Sequence, residues 1–266
     1  MSNSWLELED KVAIVTGGAS GIGSQISASL VKNGAKVIVS DLNVKTGEQT
    51  DGTYYIQCDV TNKESVNSMV EKVVDLFGKV DILINNAGVN LPRLLVDAQG
   101  EQPEYELDEK DFDFMVNVNQ KGPFLCAQAA TREMIKRKQG VIINITSEAG
   151  IEGSLGQSCY SATKGAVNGF TRSWAKELGK FNIRVVGVAP GINEKTEMTT
   201  KEYNEALAYT RGTTVEGLNT DYSKTIPLGR VGELNEISDL VTYLASERSS
   251  YITGTTVNIS GGKSRG

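Results

Sequence analysis

The run Lys11-Val-Ala-Ile-Val-Thr16 leads into Gly17-Gly-Ala-Ser-Gly21-Ile-Gly23 and then into a helical pattern through Ile26, Leu30 and Val31. A short apolar run, a glycine cluster and an amphipathic stretch read as a strand that turns sharply into a helix. Lacking Cβ, glycines at 17, 21 and 23 let backbone N–H groups approach a pyrophosphate at the positive end of that helix. The next apolar run, Lys36-Val-Ile-Val-Ser40, stops at Asp41 and completes a βαβ unit.

The same rhythm continues along the chain. Further strands are expected at 54–58, 81–85, 140–146, 183–188 and 255–259, with helices at 63–77, 109–137, 158–180 and 233–245. Alternation of this kind predicts an α/β fold: a single domain over 1–266, built on a doubly wound parallel sheet (Rossmann fold) with about seven strands and helices on both faces. Ligands of such sheets bind beyond the carboxyl ends of the strands. Asp41, Asp59, Asn85 to Gly88, Ser147 and Pro190-Gly191 each follow an expected strand, so they converge on one edge. Two segments break the rhythm, 90–108 and 191–232. Loops that long in a compact domain are usually lids or binding loops, and they are expected to recognise substrate.

Composition removes whole classes of chemistry. The chain has no histidine, which excludes imidazole bases, histidine-based triads and the common zinc hydrolase sites. No metal site is expected. A net charge of -6 argues against a broad nucleic-acid surface, and no run approaches a membrane span. Three scattered cysteines, Cys58, Cys126 and Cys159, fit a reducing compartment; together with a polar N-terminus, they predict a cytoplasmic protein.

Asp41 lies eighteen residues after Gly23, at the end of the second strand, where a carboxylate accepts hydrogen bonds from adenosine ribose hydroxyls and repels a 2′-phosphate. No Lys or Arg occurs between Thr16 and Gly23 to offset that charge, so NAD is expected rather than NADP. Tyr160 and Lys164 stand four residues apart, on one face of an expected helix, where the ammonium favours the phenolate. An unperturbed tyrosine has a pKa of about 10, and its use as a base at neutral pH needs roughly 3–4 kcal/mol of differential stabilisation. One surface lysine does not supply that. A bound cofactor or a partly buried site is expected to add the rest.

Thr16-Gly-Gly-Ala-Ser-Gly-Ile-Gly23, Asn85-Asn-Ala-Gly88, Ser147, Tyr160-x-x-x-Lys164 and Pro190-Gly191 together resemble the short-chain dehydrogenase/reductase family, in order and spacing, from residue 10 to 262. The resemblance implies a seven-stranded parallel sheet, a nicotinamide cofactor and a homotetramer with the helices near 109–137 and 158–180 at an interface. It implies that Tyr160 is the acid/base and that Lys164 binds the nicotinamide ribose and lowers the tyrosine pKa. Ser147 would hold the reacting oxygen, and Asn119 would position a water in a proton relay. Gly17, Ser20, Gly21, Ile22 and Gly23 would form the phosphate turn, and Asp59 and Val60 would meet the adenine. Asn86, Ala87, Gly88, Pro190, Gly191 and Ile192 would line the rest of the cofactor site. The family often has a threonine five residues after the proline; here that position is Lys195, and Thr196 follows it.

Substrate class is read from the two long loops. Arg93 and Lys195 are cations suited to a phosphate dianion. Glu148, Glu152, Gln157 and Asn90 suit hydroxyl groups, so a sugar-alcohol phosphate is expected, in line with a narrower resemblance of both loops to family members that oxidise such compounds. Lys263 and Arg265 are further cations near the site, in their own or a neighbouring subunit. An unphosphorylated polyol dehydrogenase, a 3-oxoacyl thioester reductase and a non-catalytic NAD-binding regulator remain alternatives.

Overall fold

Val12–Thr16 is buried along its whole length, and its side chains alternate between two cores, Val12 and Ile14 on one face and Ala13 and Val15 on the other. That is the pattern of a strand covered on both faces. The computed structural model of the chain describes residues 5–49, 51–218 and 221–264. Its parallel strands are β1 (Val12–Thr16), β2 (Lys36–Asp41), β4 (Thr53–Gln57), β5 (Ile82–Asn85), β6 (Gly140–Ile145), β7 (Ile183–Pro190) and β8 (Thr256–Ile259). They lie in the order β4-β2-β1-β5-β6-β7-β8, with every neighbouring pair parallel. The seven-stranded parallel sheet is therefore present. An edge strand the sequence reading omits, β3 (Gly47–Glu48), adds antiparallel to β4; two residues are too few for a periodic signal.

Helices α2 (Lys63–Phe77) and α4 (Gly122–Arg137) and the C-terminal part of α6 (Ser158–Leu178) cover one face. Helices α1 (Gly21–Lys32) and α8 (Leu234–Ala245) cover the other. Strand order reverses between β1 and β5, and the crevice at that switch point is where a ligand fits.

The helix expected over 109–137 is broken. It runs as α3 (Glu109–Val116), a π turn over Asn117–Lys121, and α4. Pro123 has no N–H to give the Asn119 carbonyl four residues earlier, so the ladder widens at that point. The excursion over 191–232 contains a helix, α7 (Lys201–Thr210), and a short one, α5 (Ala149–Glu152), follows β6. The two irregular segments touch: Tyr209 Oη donates to Asp97 Oδ1 at 2.8 Å, and the Tyr105 and Tyr209 rings lie 5.4 Å apart.

At the opposite edge of the sheet one carboxylate gathers three elements. Asp81 is 4% exposed; it accepts from the Val12 N–H at 2.9 Å and pairs with Lys79 at 2.8 Å and Arg137 at 3.0 Å. Removing it strands a buried backbone donor, while both cations retain access to water. Asp81→Ala is expected to lower stability by about 2–3 kcal/mol in urea unfolding. The variant's Michaelis constants should stay at wild-type values, because this edge lies away from the crevice.

Candidate active site

The glycine turn is held by the neighbouring strand end. Thr16 Oγ1 accepts from the Asn86 and Ala87 N–H groups at 3.0 and 3.1 Å, and Asn86 Nδ2 donates to the carbonyls of Thr16 and Gly17 at 3.0 and 2.9 Å. Two glycines are required by contact. A Cβ at Gly17 would come within 2.8 Å of Ala87 Cα, and one at Gly23 would overlap the Gly17 carbonyl oxygen. Ser20 caps α1 with no side-chain hydrogen bond, and the helix has no acidic residue in its first turn. The positive end of α1 therefore opens onto the cleft with its amides available, the donor set a dinucleotide pyrophosphate needs.

The cleft, about 1140 Å³, runs along the carboxyl ends of the strands and is large enough for a dinucleotide and a small substrate. Gly17, Ser20, Gly21 and Ile22 line it, with Asp41, Asp59, Val60, Asn86, Ala87, Gly88, Pro190, Gly191 and Ile192. Gly23 stands behind the turn. Asp41 accepts from the N–H groups of Ala19 and Asn43, each at 3.3 Å, which fixes its carboxylate at the end of β2. Thr196 and Glu197 lie against the glycine turn, 3.4 and 3.5 Å from the place a Gly21 Cβ would take, so the segment after β7 crosses over it. A nicotinamide dinucleotide fits these residues.

Ser147, Tyr160 and Lys164 meet at the inner end of the cleft. Lys164 is 5% exposed; its Nζ donates to the Ile145 carbonyl at 2.9 Å and lies 5.7 Å from the centre of the Tyr160 ring. Asn119 is fully buried behind them, in the π turn. Its Oδ1 accepts from the Val89 N–H and its Nδ2 donates to the Val89 carbonyl, both at 2.8 Å, with a further donation to Thr163 Oγ1 at 3.2 Å. Gly88 separates the two: a Cβ there would stand 3.4 Å from both Asn119 Oδ1 and Lys164 Nζ.

Burial acts on the phenol in the direction opposite to the sequence expectation. The Tyr160 phenol is pushed up to about 12, first by burial and then by Tyr203 and Glu148, while the hydrogen bond with Ser147 pulls it down. Lys164 is lowered to about 8 by burial, because a low-dielectric site disfavours whichever form is charged. The protein alone therefore holds Tyr160 neutral.

Among the expected substrate residues, Glu148, Glu152, Gln157 and Lys195 line the cleft and Arg93 does not. Arg93 pairs with Asp111 at 2.7 Å, donates to the Pro92 carbonyl and lies over the Tyr105 ring. Its short-range partners lie in its own loop and in α3, which sequence distance conceals. Lys263 reaches the cleft and pairs with Glu148 at 2.7 Å; Arg265 lies outside the described residues. Two residues of α7 and its end, Tyr203 and Arg211, were not anticipated. Tyr203 Oη accepts from Gln157 Nε2 at 3.1 Å and Asn90 Nδ2 at 3.4 Å. The only sequence signal for either was their place in the long excursion. Among the described residues no group of three or more His, Cys, Asp or Glu is placed to hold a metal ion, and no helix is long and apolar enough to cross a membrane.

The lysine shift has a measurable consequence in nucleotide-free protein. Below about 8 both states carry the proton, and the native state bears the full cost of a buried charge. As pH rises from about 8 toward the ordinary lysine value of about 10, the native state has shed a proton that the unfolded chain keeps, so stability rises. The raised thiols of Cys58, Cys126 and Cys159 act in the opposite sense over the same window in both proteins, so the expected signature is the difference: the urea midpoint of the wild type should gain on that of Lys164→Met as pH rises from about 8 to about 10.

Comparison with known proteins agrees with the geometry. A family model described as short chain dehydrogenase matches residues 11–207. Sorbitol-6-phosphate 2-dehydrogenase of Klebsiella pneumoniae is 53% identical over 99% of this chain and 100% of its own length. A 3-oxoacyl-[acyl-carrier-protein] reductase of Thermotoga maritima is 40% identical over 97% and 99%. Among solved structures, gox2181 superposes with a TM-score of 0.81 at 31% identity, covering 99% of each chain. An aldohexose dehydrogenase of Thermoplasma acidophilum does so with a TM-score of 0.82 at 28% identity, over 97% of this chain and 95% of that one. With the tyrosine, lysine, serine and glycine turn assembled at one sheet edge and the family model matched across them, the chain belongs to the short-chain dehydrogenase family.

Proposed function

We propose that the protein oxidises a sugar-alcohol phosphate, D-sorbitol 6-phosphate to D-fructose 6-phosphate, using NAD. The observation that carries this reading is the full-length identity of 53% to a sorbitol-6-phosphate 2-dehydrogenase, combined with a cleft whose substrate end is walled by polar side chains. Family members bind NAD or NADP, and the Asp41 carboxylate beside the glycine turn favours the cofactor without a 2′-phosphate.

The cofactor, when bound, supplies the hydride acceptor. The chain supplies alignment and the proton path. Tyr160 Oη takes the proton of the substrate hydroxyl, and Ser147 Oγ holds that oxygen. Lys164 contributes a buried positive charge and binds the nicotinamide ribose, and Asn119 positions a water behind it. Burial and the neighbouring groups leave the phenol near 12 with Lys164 already in place, so a bound cofactor would have to supply the lowering. The enzyme is a cytoplasmic homotetramer in this reading; Phe112 and Phe124, exposed by 46% and 40% on the α3–α4 side, support a subunit interface there. The identity of 40% to a 3-oxoacyl reductase favours a thioester reductase as the second reading.

NADH formation is expected with sorbitol 6-phosphate in preference to sorbitol, mannitol 6-phosphate and xylitol, followed by absorbance. Activity on free sugars alone, or on an acetoacetyl thioester alone, would displace the assignment. Tyr160→Phe should lower kcat by about 10³-fold with the Michaelis constant for NAD within about threefold of wild type. Asp41→Ala should narrow the preference for NAD over NADP by about tenfold or more, measured as the ratio of kcat/KM values.

A further inference from the structure

The cleft contains a donor-rich end that the reaction chemistry leaves unused. Four cations line the cleft as a whole, Lys164, Lys195, Arg211 and Lys263. Lys164 is committed to the Ile145 carbonyl and the tyrosine, and Lys263 is held by the Glu148 carboxylate at 2.7 Å. Lys195 projects from the segment that crosses the glycine turn, nearer the cofactor. Arg211 stands at the C-terminal end of α7, its main chain fixed by bonds to the carbonyls of Leu207 and Ala208, and reaches a hydroxyl, Ser154 Oγ, at 3.5 Å.

Tyr203 shares the cleft with this guanidinium and with Tyr160. With Gln157 and Asn90 both donating to its oxygen, the phenol's own proton is left to point at an acceptor that is not one of these two side chains. Burial raises the Tyr203 phenol and the Arg211 charge opposes that rise, while Tyr203 in turn acts on Tyr160. Tyr160, Tyr203 and Arg211 line the same cleft together with Ser154 and Gln157, the hydrogen-bond partners of Arg211 and Tyr203. Beside them Asn90 Oδ1 and Glu148 Oε2 are buried without a hydrogen-bond partner, acceptors of the kind sugar hydroxyls satisfy.

We propose that Arg211, with the hydroxyls of Tyr203 and Ser154, forms the subsite that binds the phosphate monoester of the substrate, at the far end of a carbon chain whose reacting carbon faces Tyr160. This rests on the sugar-alcohol phosphate reading and assigns the phosphate to a residue outside the set suggested by sequence. A planar guanidinium offers paired donors to phosphate oxygens, and its exposed place at the cleft mouth leaves the other end of the substrate facing inward.

The test is the specificity ratio, kcat/KM for sorbitol 6-phosphate over that for sorbitol. Arg211→Gln is expected to reduce that ratio by about 10–100-fold, through a raised KM for the phosphorylated substrate and little change in kcat. Arg211→Lys should restore part of it, and Tyr203→Phe should reduce it by about three- to tenfold. Arg93→Gln, which alters a cation paired away from the cleft, is the comparison and should keep the wild-type ratio. A wild-type ratio retained in Arg211→Gln, or a loss in Arg93→Gln instead, overturns the subsite while leaving the proposed reaction intact. A wild type with no preference for the phosphorylated substrate overturns both.

Discussion

An ammonium taken out of water organises this site. Lys164 is 5% exposed, and a buried charge requires compensating groups around it. The chain supplies the Ile145 carbonyl at 2.9 Å, the face of Tyr160 and close backbone packing. Gly150 is a glycine for that reason: a Cβ there would stand 2.7 Å from Lys164 Cβ. The π turn serves the same end. By widening α3–α4 at Asn119 it lets one side chain satisfy both backbone groups of Val89, which locks the strand end that carries Gly88.

A second weld makes the cofactor end rigid. Four hydrogen bonds tie Thr16 and Gly17 to Asn86 and Ala87, so the two strand ends on either side of the topological switch behave as one piece. The opposite edge of the sheet is built differently. There Asp81 joins β1, β5 and α4 through charge pairs whose role is to hold elements together. Function collects at the carboxyl edge and fastening at the amino edge, a division that follows from strands all running one way.

Much of this was legible before any coordinates. The central apolar runs read as strands covered on both faces, and residues directly after the strands of one parallel sheet share an edge, which is why Asp41, Gly88, Ser147 and Gly191 line one cleft. What escaped had no local signature. The break in the helix over 109–137 depends on Pro123 acting on a carbonyl four residues back, in a stretch whose apolar period continues through it. Arg93 was placed by loop membership, but Asp111, eighteen residues away on α3, holds it. Tyr203 and Arg211 lie in an excursion with no motif, and the partners of Tyr203, Asn90 and Gln157, stand 113 and 46 residues away from it.

The pKa directions show why this protein separates fold from catalysis. Desolvation raises the phenol and lowers the ammonium to about 8, so at neutral pH the folded chain by itself holds the tyrosine neutral beside a lysine that is still charged, the opposite of a poised base. Glu148 adds to the same tendency, and Lys263 offsets it by pairing with Glu148 through Oε1 and leaving Oε2 beside Gly191. The energetic cost of burying Lys164 then has a return: in a medium where charges interact strongly, a single added positive charge shifts the phenol far more than it would in water.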